Sequence, residues 1–233
     1  TWLSEWRRRG PIGCRDTTSL GMLQAHGIDA YYSGCLTTWM GQFFDRPRRR
    51  EGIILLDVPE RMEAFIPAGL RSRARRLSNE TAKGGNLFDR FRRTAEILDI
   101  LRGAELVVTR RLHASLPCAG FGTPVTVYLE DNGQNRHRFS GADQFLPMIF
   151  HDGERPIGAQ TWIEPQVVSV PGELDMRFRS FAQSIGARVE PRWRSVQEFA
   201  DHMPDVAREP RGMLDRLRGA VSIEPEREAE TAS

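Results

Sequence analysis

Short runs of consecutive apolar residues alternate with amphipathic stretches over the first 150 residues. Ile53-Ile54-Leu55-Leu56, Leu106-Val107-Val108 and the stretch from Pro124 to Leu129 carry apolar residues on both strand faces. That pattern predicts strands buried on both sides, as in a parallel sheet. Between them, Leu87, Phe91, Leu98 and Leu101 form one helical stripe with Phe88 and Ile97 beside it, so a helix is predicted over 87–101 with Asn86 as its cap. Leu112, Leu116 and Ala119 carry a further helix that ends near Gly120-Phe121-Gly122 and contains Pro117. Strands and helices alternating at this spacing predict a Rossmann-like α/β layer.

The segment before residue 40 repeats the scheme on a smaller scale. Residues 2–9 predict the end of a helix stopped at Gly10, and 11–15 a short strand. A helix over 17–26 is capped by Asp16 or Thr17 and ended by Gly27, and 28–33 is a second strand. This is a β-α-β unit with a right-handed crossover. Residues 41–50 are polar, Arg-rich and contain Pro47, which predicts a linker. A short helix is expected near 60–65, followed by a polar stretch to about residue 85. Residues 150–175 are irregular, with Pro156, Pro165 and Pro171 breaking any period, and 174–186 and 194–221 are helix-prone. Glu224 to Ser233 is acidic and polar, the composition of a disordered tail.

Composition narrows the class. The chain has 233 residues, is 39% hydrophobic and 27% charged, and has a net charge of +2. No apolar run approaches the ~18–20 residues needed to cross a bilayer, and no secretory signal is evident. Three cysteines without a CxxC pair predict reduced thiols and a cytoplasmic protein. Every basic side chain except Lys83 and the histidines is arginine. The clusters Arg7–Arg9, Arg46–Arg50 and Arg71–Arg76 have acidic neighbours and no interleaved aromatics, so solvated faces rather than a nucleic-acid surface are expected.

Two strand-to-helix junctions carry the candidate chemistry. Thr109-Arg110-Arg111-Leu112-His113 follows an apolar strand, and Gly10-Pro11-Ile12-Gly13-Cys14-Arg15-Asp16 precedes a helix. Such junctions lie at the carboxyl edge of a parallel sheet, where ligands bind and outward-pointing N–H groups favour anions. Arg111 can hold a phosphate or carboxylate bidentately, and His113 can move a proton near neutral pH. The plain alternative pairs Arg111 with a structural carboxylate and gives His113 a space-filling role. Asp16 reads as a helix cap, and Arg15 as either cleft-facing or paired with Asp16. Asn132 to Arg138 follows a buried strand, so Asn132, Arg136 and Arg138, with Arg110, are candidate anion contacts; a solvated loop is the alternative. Cys14 and Cys35 can approach on neighbouring strands but lack further metal ligands, which favours small buried residues.

The junction motifs occur together with Ser33-Gly34-Cys35-Leu36-Thr37, Phe121-Gly122-Thr123-Pro124 and Asn135-Arg136-His137-Arg138-Phe139-Ser140-Gly141. In this order, over roughly residues 5–147, the set resembles the polysaccharide pyruvyl transferase family. The resemblance implies two Rossmann-like domains facing across a cleft (a GT-B-like architecture) and a helical C-terminal segment. On that scheme residues 1–40 are the end of a first domain whose greater part would lie upstream, and 41–150 are the second domain with the Arg-Leu-His motif. Residues 151–223 are irregular and then helical, and 224–233 are a tail.

It further implies transfer of pyruvate from phosphoenolpyruvate to hydroxyls of a surface-polysaccharide sugar, with His113 and Arg111 catalytic. Arg15, Arg110, Asn132, Arg136 and Arg138 would bind substrate, and the scheme needs neither metal nor cofactor. Expected partners are phosphoenolpyruvate and a glycan or lipid-linked saccharide, with no nucleic acid; a homo-oligomer and peripheral membrane association stay open. The competing readings are a nucleotide-sugar glycosyltransferase on a similar scaffold and a truncated relative that only binds glycan.

Overall fold

The computed structural model describes residues 2–45, 47, 49–80, 87–186 and 188–202. In chain order the helices and strands are α1 (Trp2–Arg9), β1 (Ile12–Cys14), α2 (Thr17–Ala25), β2 (Ala30–Tyr32), a 3-10 helix (Leu36–Gln42), β3 (Ile53–Leu56), α3 (Glu60–Glu63), α4 (Ala68–Arg71) and β4 (Ala74–Leu77). They continue with α5 (Leu87–Gly103), β5 (Leu106–Thr109), α6 (Leu112–Phe121), β6 (Val125–Glu130), α7 (Gly133–Phe139), β7 (Met148–His151), α8 (Gly172–Ser184) and α9 (Val196–His202). The expected cap at Asn86, the tail at 224–233 and the helix-prone stretch beyond His202 lie outside the described residues.

Two parallel sheets organise the chain. β1 and β2 pair through Ile12–Ala30, Gly13–Tyr31 and Cys14–Tyr32, with α2 as the crossover. The larger sheet has five strands in the order β4-β3-β5-β6-β7, all parallel. This mixed, parallel α/β layering is Rossmann-like, as the apolar runs predict.

Both faces of the larger sheet are covered, which is why its strands lack polar alternation. Ile54, Leu56, Val107, Val125, Val127 and Leu129 point to one side, where they meet Ile97 and Leu101 of α5 and Leu112 and Leu116 of α6. Ile53, Leu55, Val108, Tyr128 and Ile149 point to the other, against Met62, Ile66, Trp162 and Ile163.

Three segments depart from the sequence reading. The polar stretch before residue 85 contains β4, an edge strand in which Ala74 and Leu77 are half-buried and Arg75 and Arg76 are exposed; edge position tolerates the charge that hid it. The expected linker at 41–50 begins inside the 3-10 helix, and Phe44 is buried against Phe121 and Phe199, with a bridge to Trp193. The stretch after β6, read as candidate anion contacts with a solvated loop as the alternative, forms helix α7, which Asn132 caps by accepting from Asn135 N at 2.8 Å.

Candidate functional site

The strand order reverses direction between β3 and β5. From β3 the chain moves outward to β4, then returns through α5 to β5 on the other flank of β3. In open α/β sheets a crevice forms at the carboxyl ends of the strands at such a point. Here a cleft of about 400 Å³ lies there. Asp57, following β3, and Arg110 and Arg111, following β5, line it together with Arg138 of α7 and His151 of β7.

The junction after β5 is built from Thr109, which is fully buried. Its Oγ1 donates to Leu56 O at 3.0 Å and accepts from Arg111 N at 3.0 Å, so one hydroxyl ties β5 to β3 and sets the turn into α6. The Arg111 side chain then donates from Nε to Asp57 Oδ2 at 2.7 Å, and its Nη2 lies 3.8 Å from Glu80. Asp57 has φ 53, a left-handed conformation that Asp tolerates better than most side chains. Its carboxylate is only 7% exposed and also accepts from Ser78 Oγ at 2.8 Å. Arg111 remains 36% exposed, so it is held at the cleft wall and still faces solvent.

Arg61, Arg110 and Arg138 line the same cleft and make no hydrogen bond or ion pair among the described residues. His151 closes it from below at 2% exposure, and its Nδ1 accepts from Gly153 N at 3.1 Å, which leaves the proton of the neutral ring on Nε2. Burial holds the His151 imidazole below its ordinary range. Arg61 and Arg110 push the same way, and Glu130 and Asp152 oppose them. Three unpaired guanidinium groups over a neutral imidazole make a surface suited to an anionic ligand.

His113 takes a different direction from Arg111. Its backbone is non-helical (φ −80, ψ 19) within the first turn of α6, its side chain is exposed, and it is not among the residues that line the arginine cleft. Cys35 lines a second opening of about 540 Å³, together with Gly13, Arg15, Tyr31, Trp39 and Arg177. Arg110 and Arg111 thus face the cleft, while His113 lines neither opening.

The remaining candidates separate. Arg15 lines the second opening, exposed, and its Nη2 is 3.4 Å from Asp16. Asp16 is the α2 cap, accepting from Ser19 N at 2.7 Å. Asn132 is spent on capping α7. Arg136 is paired with Asp131 and lies over the Phe150 ring, 4.7 Å from its centroid. Of the residues that build the cleft, Asp57, Arg61 and His151 are not picked out from the sequence. The available signal for Asp57 was a carboxylate placed directly after the strand Ile53–Leu56. His151 had none, because β7 itself was not read. No group of side chains able to hold a metal occurs among the described residues, and no described helix is long and apolar enough to cross a membrane.

A parallel sheet with an arginine-lined crevice at its switch point defines a Rossmann-like α/β protein. Residues 6–132, more than half of the chain, match the family model "Polysaccharide pyruvyl transferase", and the chain belongs to that family. No curated protein and no solved structure matches it.

Proposed function

We propose that this chain's site transfers pyruvate from phosphoenolpyruvate to hydroxyls of a polysaccharide sugar, forming a ketal. One observation carries the reading. In a chain of this family, unpaired Arg110 and Arg138 converge with Arg111 on the crevice at the sheet's switch point. Phosphoenolpyruvate presents a phosphate and a carboxylate, and fixed guanidinium groups suit both. Asp57 keeps Arg111 oriented without removing it from solvent.

The chemistry needs a proton donor beside this anion site. We assign that role to His113, two residues after Arg111 and exposed at the start of α6, as donor to the methylene carbon. The adjacent carbon becomes cationic, and a sugar hydroxyl adds to it and releases its proton. A second hydroxyl of the same sugar then displaces phosphate and closes the ketal. The arginines stabilise the departing phosphate. Arg15, which lines the second opening, serves in this reading to meet the acceptor.

The test is pyruvyl transfer by His113→Ala and Arg111→Ala. Loss of a general acid or of a transition-state cation is expected to lower kcat by about a hundredfold or more. Near-normal transfer by both variants overturns the assignment.

A further inference from the structure

The fold around His151 uses one edge of its ring and leaves the other. The residue ends β7, is 2% exposed and lines the 400 Å³ crevice. Its Nδ1 accepts from Gly153 N at 3.1 Å. The turn that follows holds this contact in place. Asp152 Oδ1 accepts from Glu154 N and Arg155 N, both at 2.9 Å, and Ile157 N donates to Phe150 O at 2.8 Å. A proton on Nδ1 would face the Gly153 N–H, so the turn selects the neutral ring that carries its proton on Nε2. Burial, the largest influence on the ring, favours the same form.

Nε2 itself has no hydrogen-bond partner among the described residues. The one sealed side-chain N or O atom without a partner there is Gln197 Oε1. Nε2 is therefore the polar atom through which this buried ring reaches the crevice. A buried N–H without an acceptor is costly, and a ligand oxygen placed on it removes that cost.

Charged groups surround the ring from each neighbouring element. A Cβ at Gly153 would stand 3.7 Å from Arg61 Nη2, which puts the guanidinium of α3 beside the turn that holds the imidazole. Arg110 after β5, Glu130 at the end of β6 and Arg138 of α7 line the same crevice. Asp152 is spent on its own turn, and Asp57 is held by Arg111 with Glu80 nearby. These arginines and carboxylates keep their charges between pH 6.5 and 8.

We propose that His151 is a further ligand-binding residue of this crevice, a neutral donor whose Nε2–H bonds an oxygen of the anion that Arg61, Arg110 and Arg138 attract. The guanidinium groups supply charge, and the imidazole supplies one directed bond from the buried end of the site, which fixes how the anion is turned. This role rests on the reading of the crevice as an anion site. It requires neither pyruvyl transfer nor His113.

The experiment titrates the full chain with inorganic sulfate and, separately, with phosphoenolpyruvate, following the histidine ring nitrogens by NMR and the affinity by calorimetry. Sulfate keeps its charge from pH 6.5 to 8, so any pH dependence of its binding belongs to the protein. At saturation the Nε2 resonance of His151 should move, while Nδ1 keeps the shift of an unprotonated ring nitrogen. Sulfate affinity should not change over this pH range. His151→Phe keeps a ring and loses the donor, and should weaken both anions at least about tenfold, the loss of one hydrogen bond to a charged group. His151→Gln retains an N–H donor and should lose less. An Nε2 resonance that stays put at saturation overturns the proposal, and this readout requires no variant. A doubly protonated ring in the complex, or full-strength binding by folded His151→Phe, overturns it too; in these cases the arginine site and the proposed function stand. Absence of binding of either anion by the unmodified chain overturns both. Sulfate bound through His151 with no binding of phosphoenolpyruvate supports the proposal and removes the proposed function.

Discussion

Arg50 donates to the carbonyl oxygens of Arg102 and Phe121 and to Thr123 Oγ1, all between 2.5 and 2.6 Å. Arg7 holds His26 O, and Arg76 is paired with Glu63. Against these structural uses, what marks a site is the convergence in one cleft of Arg61, Arg110 and Arg138, which have no hydrogen-bond or ion-pair partner among the described residues. The value of Arg111 could be read from its place after an apolar strand. That its partner would be Asp57 could not, since nothing local fixes which strand end lies beside β5.

His151 gives a prediction at this scale. Its imidazole is held below the ordinary value of 6.5 in the folded chain. As pH falls below 6.5 the unfolded chain takes up this proton and the folded chain does not, so the unfolded state gains. The stability present above pH 6.5 is therefore lost as pH falls toward the folded value. Urea midpoints measured from pH 7.5 to 5 should decline, and His151→Gln should decline less steeply; equal slopes would contradict the burial assigned to His151.

Between elements, α6 approaches the 3-10 helix closely. A Cβ on Gly120 would overlap Thr38 O, and one on Gly41 would overlap Gly120 O, so the two backbones touch and only glycine fits at either position. Helix termination belongs instead to Gly122, with φ 66 as the cap of α6. Gly120→Ala should cost about 3 kcal/mol by urea denaturation, at the upper end of overpacking costs. Gly21→Ala, in the open on α2, should be neutral or slightly stabilising. Equal effects of the two would contradict the backbone contact.

Element legibility followed burial. β3, β5 and β6 lie inside the sheet and read as unbroken apolar runs. The two edge strands, Ala74–Leu77 and Met148–His151, are partly open and did not declare themselves. Helix α7 is polar and short, and its cap Asn132 was the signal that could have revealed it.

For the whole molecule, the 3-10 helix that follows β2 packs on α6, which follows β5 of the larger sheet. Arg177 of α8 donates to Tyr32 O at 2.8 Å, and Thr18 N donates to Ser140 Oγ at 3.1 Å, so the smaller sheet is tied to segments following the larger one. The parallel architecture was legible because periodicity and chain order suffice to specify it. That His113 stands outside the arginine-lined crevice was not, because residues two apart on a kinked first turn leave it in directions that only tertiary packing decides.

The central claim is that the switch-point crevice receives an anionic three-carbon donor rather than a nucleotide. It is tested most directly by calorimetric titration of the chain with phosphoenolpyruvate and, separately, with nucleotide sugars. The account predicts saturable binding of phosphoenolpyruvate that weakens at least about tenfold in Arg110→Ala/Arg138→Ala, since hydrogen bonds to charged groups contribute about 1.5–3 kcal/mol each, and no comparable binding of nucleotide sugars. Tight binding of a nucleotide sugar that depends on the same arginines, with none of phosphoenolpyruvate, would contradict it.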